Sequence, residues 1–87
     1  MKTFGLTISS PPQKIFEDKV YEVTAPGEAG WMTILAGHAP LLATLKKGKI
    51  IIKKSAAEAA EKGFEIEEGI MEVTKKGVSI LIKKLEK

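Results

Sequence analysis

The stretch FEIEEGIMEVTKKGVSILI, residues 64–82, decides the fold class. Phe64 and Ile66 alternate with Glu65 and Glu67, the period-two pattern of a strand with one face buried and one face wet. Gly69 interrupts this strand as a bulge or tight corner would. Ile70 to Thr74 resumes as strand, Lys75-Lys76-Gly77 reads as a hairpin turn, and Val78, Ile80 and Ile82 alternate with Ser79, Leu81 and Lys83. On this pattern Glu65, Glu67 and Glu68 are a solvated face and not a catalytic carboxylate cluster.

The same period extends outward. Phe4, Leu6 and Ile8 alternate with Gly5, Thr7 and Ser9, and Ser9-Ser10-Pro11-Pro12 stops the strand because two prolines cannot continue a ladder. Ile15 to Thr24 is rich in strand formers. Ala25-Pro26-Gly27 reads as a turn, with Ala25 held extended ahead of the proline. Trp31 to Leu35 is a short apolar run, Gly37 to Pro40 a loop, Leu41 to Leu45 a strand and Lys46-Lys47-Gly48 a turn. Ile50 to Ile52 then sit between lysines. Ser55 and Glu58 match a capping box with Gly63 as a stop, but about two turns of helix are marginal alone. A surface loop or short helical bulge is expected over Ser55 to Lys62. The sum is an all-β single domain over residues 1–87: a flattened β-sandwich or barrel of about eight to ten short strands.

Composition narrows the function. The chain has 87 residues, a net charge of +3 and no cysteine. Thiolate metal sites and disulfides are excluded, and the cysteine-free composition fits an intracellular setting. No signal peptide is expected at the N-terminus, and no apolar run approaches the ~20 residues that span a bilayer. All basic residues are lysine. Without arginine, bidentate phosphate or guanine recognition loses its commonest tool. The Lys- and Glu-rich, amide-poor composition is of thermophilic type. The lysine pairs at 46–47, 53–54, 75–76 and 83–84 fall at strand ends, where they keep edges soluble. Phe4, Phe16 and Phe64 read as core and not as base-stacking platforms, and no glycine-rich phosphate loop is present. The lone His38 lacks a paired nucleophile or co-ligands, so a structural or interface role is expected. No catalytic residue, metal, cofactor, nucleic acid or small-molecule substrate is expected. The residues alone lead to a binding module or structural subunit.

The segment Val23 to Leu42, VTAPGEAGWMTILAGHAPLL, resembles the signature of the epsilon subunit of F-type ATP synthases. Gly37-His38-Ala39-Pro40-Leu41-Leu42 matches it letter for letter. Lys47-Gly48, Phe64 to Val73 and Val78 to Leu81 extend the resemblance over nearly the whole chain. The resemblance implies a non-catalytic rotor subunit of the central stalk, peripheral to the cytoplasmic face of the bacterial membrane. Its partners would be the gamma subunit and the c-ring, and its role to couple proton flow to ATP synthesis. It implies that Pro26, Gly27, Glu28, Ala29, Gly30 and Trp31 face the c-ring, and that Ser10, His38, Ala39, Pro40, Leu42 and Ala43 lie near gamma. An unrelated β-sandwich adaptor is the alternative. Departures stand at Trp31, where an acidic residue is frequent, so that tryptophan is either an apolar contact or core. Ala36 stands at a usual proline, and Glu68 at a usual glycine. The C-terminal helical pair of many members is not expected here, nor is autoinhibition or nucleotide binding.

Overall fold

In the computed structural model, which describes residues 2–57 and 62–85, every regular element is a strand. These are β1 (Phe4–Ser10), β2 (Gln13–Val20), β3 (Glu22–Gly27), β4 (Gly30–Leu35), β5 (Leu41–Leu45), β6 (Gly48–Lys53), β7 (Lys62–Thr74) and β8 (Gly77–Leu85). They form one continuous sheet in the order β2-β1-β8-β7-β5-β3-β4, and β6 pairs with both β3 and β7. β5 and β6 follow one another between the same two neighbours. β5 pairs with the C-terminal part of β7 and with Gly27 of β3, while β6 pairs with the N-terminal part of β7 and with Glu22 to Thr24 of β3. This double bridging folds the sheet over on itself. β1 and β8 are parallel, and the other pairs are antiparallel.

The core is the inward set of each alternating strand. Leu6 and Ile8, Val23 and Ala25, Ile50 and Ile52, and Val78, Ile80 and Ile82 are all buried. Each buried Val, Leu or Ile contributes about 1.5–3 kcal/mol. Among the described residues no polar side chain is buried, so no desolvation cost offsets this. In β7 the inward face changes phase. Ile66 is buried, then Met71 and Val73, and the register against β8 shifts between Ile66 and Gly69. Gly69 sits at that bulge because a Cβ there would lie 2.9 Å from the Leu81 carbonyl oxygen.

Several expectations change. Ala25-Pro26-Gly27 is not a turn: all three residues are buried in β3, and the turn is Glu28-Ala29. Pro26 keeps its ladder role as an acceptor, since its carbonyl receives the Lys46 amide at 2.8 Å. Ile15 to Thr24 is two strands, broken at Tyr21, whose amide donates to the Lys53 carbonyl at 2.9 Å. Gly63 does not end a helix but pairs with Ile51 within β7. The rest of the expected Ser55 to Lys62 loop falls largely on residues 58–61, outside the described residues. Phe4, Phe16 and Phe64 pack on the core margin, half-buried, with Phe16 and Phe64 edge-to-face at 6.0 Å. Glu65 is exposed as expected, whereas the bulge leaves Glu67 half-buried.

Candidate protein-binding poles

β4 and β5 both run between the β3–β4 tip and the loop 36–40, and most of the candidate residues collect at their ends. At one end the β3–β4 hairpin turns at Glu28-Ala29. The Glu28 amide donates to the Thr44 carbonyl at 3.0 Å, which ties this tip to β5. Glu28 and Ala29 are exposed, and Trp31 is 62% exposed. The indole leans towards Gly48, where a Cβ would lie 3.7 Å from Trp31 Cη2 and 2.7 Å from Pro26 Cβ. Trp31 is therefore a surface residue and not core. Pro26 and Gly27 are buried and shape the tip from below. A shallow depression of about 330 Å³ lies between Glu28, Trp31, Ala43 and Thr44.

At the other end β4 passes into the loop 36–40. Gly37 takes a positive φ of 85°, and the His38 amide donates to the Leu35 carbonyl at 3.2 Å. The Nδ1–H of His38 donates to the Ala39 carbonyl at 2.7 Å. That bond fixes the tautomer and leaves Nε2 as an acceptor on the exposed side. His38, Ala39 and Pro40 are exposed and form one wall of a cleft of about 460 Å³. Phe4 of β1 and the β7–β8 turn form the opposite wall.

The six residues expected near gamma do not form one patch. Leu42 points outward and is 73% exposed. Ala43 faces the other way, opposite buried Met71, and shares the tip depression. Ser10 lies at the far end of β1 from Phe4, away from the cleft. The outward row of the sheet that reaches β5 ends on the neighbouring Ser9 and not on Ser10. Thr44 pairs with Ile70, Ile70 with Leu81 and Leu81 with Ser9. Leu81 is 40% exposed on this row. Sequence reasoning placed Leu81 outward but missed that Leu42 stands opposite Glu72, one row along from Ile70 and Leu81. Only the cross-strand register reveals that.

No group of three or more His, Cys, Asp or Glu could hold a metal among the described residues. The geometry is that of exposed apolar and basic surfaces on a rigid sheet.

A family profile described as the β-sandwich domain of the ATP synthase delta/epsilon chain matches residues 3–87. The chain belongs to the ATP synthase delta/epsilon family. An ATP synthase epsilon chain from Chlorobium limicola is 44% identical over 73 residues, covering 84% of this chain and 81% of the relative. One from Caulobacter vibrioides is 35% identical over 81 residues, covering 93% and 91%. Among solved structures, a chain of the Euglena gracilis mitochondrial ATP synthase (OSCP, F1 and c-ring in rotational state 1) superposes with a TM-score of 0.85. Identity is 22%, over 97% of this chain and 52% of that one. This chain thus spans about half of that longer neighbour, and at this identity the likeness is one of fold. As an epsilon-type chain it is a non-catalytic part of the synthase, which is a membrane-associated complex.

Proposed function

We propose that this chain is a rotor subunit of a bacterial ATP synthase, held at the cytoplasmic face of the membrane by its partners. It binds the gamma subunit and the c-ring and helps couple proton translocation to ATP synthesis. Two surfaces at opposite ends of rigid strands suit a part that links two others. The c-ring contact is assigned to the tip: Glu28, Ala29, Gly30 and Trp31 make it, and buried Pro26 and Gly27 shape it. The gamma contact is assigned to His38, Ala39, Pro40 and Leu42. Ser10, at the far end of β1, and Ala43, which faces the other way from Leu42, are assigned with them.

Leu42 carries this reading. It stands at the end of the matched Gly37 to Leu42 segment, yet it is 73% exposed on a strand whose fold does not need it there. A large apolar side chain so placed is a candidate interface anchor. The test is size-exclusion chromatography with light scattering on the chain mixed with the gamma subunit from the same source. Co-elution as a one-to-one complex is expected for the wild type, and Leu42→Glu should lose it while keeping the wild-type melting temperature. Separate elution of two folded proteins would remove the gamma-binding reading.

A further inference from the structure

We propose that the cleft beside His38 is an electrostatic socket for an acidic segment of the gamma subunit. This rests on the reading that gamma is a partner and adds where its charge is received. The cleft, about 460 Å³, lies between the loop 36–40, the start of β1 and the β7–β8 turn. Its titratable lining is Lys19, His38, Lys75 and Lys76, and no carboxylate lines it. Between these groups Leu35, Pro40 and Phe4 give it an apolar floor and wall.

The lysines are uncommitted. Elsewhere Lys14 pairs with Glu17 at 2.9 Å, and Lys54 with Asp18 at 2.6 Å. Among the described residues, no carboxylate lies within ion-pair distance of Lys19, Lys75 or Lys76. Glu17 and Glu72 do border Lys76 on the outward side, in a separate depression with Thr7 and Ser79. Lys19 and Lys75 have no such neighbour in either lining.

The ammonium groups of Lys19 and Lys75 share this lining without a counter-charge and repel one another. An incoming carboxylate relieves that repulsion and is drawn in from a distance. Lysine supplies point charges and no planar fork, so the socket suits mobile Asp or Glu side chains better than one rigid bidentate group. The largely exposed apolar lining asks for a Leu-, Ile- or Val-type side chain within the same segment. The wall carrying His38 to Pro40 is the one already assigned to gamma, so a single docked surface reaches both.

The test is the dissociation constant for gamma at low and high salt. Lys19→Glu/Lys75→Glu should weaken binding about tenfold at low ionic strength. The gap should shrink as salt shortens the screening length to about 3 Å near 1 M. Lys46→Glu/Lys47→Glu makes the same change in net charge at the opposite pole and should bind gamma as the wild type does. Unchanged melting temperatures show that the substitutions spare the fold, as expected for exposed side chains. Equal weakening by both variants would reduce the effect to bulk charge and overturn the socket. So would wild-type affinity in the Lys19/Lys75 variant, or a gap that salt does not close. A wild-type chain that ignores gamma at every salt concentration would instead remove the gamma reading, and the socket with it.

Discussion

Gly77 shows how single residues set this fold. It closes the β7–β8 turn at φ 144°, and a Cβ there would meet the Gly5 carbonyl oxygen at 2.6 Å. Gly30 has a similar φ of 138° but faces open space. Gly77→Ala combines backbone strain with displacement of β1, whereas Gly30→Ala carries the strain alone. Strain of this kind costs about 1–3 kcal/mol. Urea unfolding should therefore show Gly77→Ala as the less stable variant by at least about 1 kcal/mol, and equal midpoints would contradict the close β1 contact. Asp18 makes a different, titratable contribution. The Lys54 ammonium donates to its carboxylate, the Lys19 amide adds a second hydrogen bond, and the lysine charge helps, so its pKa lies below the usual carboxylate value. A depressed folded pKa stabilises the fold above the unfolded value, and that contribution is lost as pH falls through the folded one. Asp18→Asn should thus melt slightly below the wild type near neutral pH. The difference should vanish on acidification past the ordinary carboxylate range, and a gap persisting at the lowest pH would rule out the carboxylate as its source.

Among the elements, β6 separates burial from hydrophobicity. Ile50, Ile51 and Ile52 are identical in chemistry, yet Ile50 and Ile52 are fully buried and Ile51 is half-buried on the opposite face. Ile→Ala in a core costs about 2–5 kcal/mol, through lost transfer energy and the cavity left behind. Ile50→Ala and Ile52→Ala should fall in that range by chemical denaturation. Ile51→Ala should cost less than about 2 kcal/mol, for it opens no enclosed cavity. The same alternation is what made the strands legible in the sequence. Leu6/Ile8, Ile66 and Val78/Ile80/Ile82 repeat every second residue, and the Gly69 bulge was readable because glycine broke that period. The β3–β4 tip was not. Pro26-Gly27 has turn chemistry, but here Pro26 needs no amide hydrogen and its carbonyl binds Lys46, so the strand runs on to Gly27. Tyr21 likewise gave no local signal. Its break depends on Lys53, which is distant in sequence. The candidate site was legible as a list of residues but not as a grouping. Leu42 and Ala43 are adjacent in sequence and face opposite sides, and the apolar pair Ile70–Leu81, one row along from Leu42, exists only through strand register.

At the scale of the molecule, the two poles are separated by the length of a six-residue strand, β4, which at about 3.3 Å per residue is roughly 15–20 Å. The hydrogen-bonded β3, β4 and β5 ladders join them, and no hinge intervenes among the described residues. Such a body transmits load without redistributing side-chain energy between its ends. Trp31 and Leu42 are both largely exposed, so replacing either removes a contact surface and little of the core. Trp31→Ala should then lower c-ring attachment and ATP-driven proton pumping in the assembled synthase while leaving gamma affinity within about twofold of wild type. Leu42→Glu should do the reverse in the isolated pair with gamma. Sites more than about 7–10 Å apart with no shared partner add within about 0.3–0.5 kcal/mol. The double variant should therefore lose gamma affinity by no more than Leu42→Glu alone, within that margin. A coupling energy well above it, read from a double-mutant cycle on the gamma dissociation constant, would mean that the two poles serve one interface, and the assignment of separate partners to tip and cleft would fall.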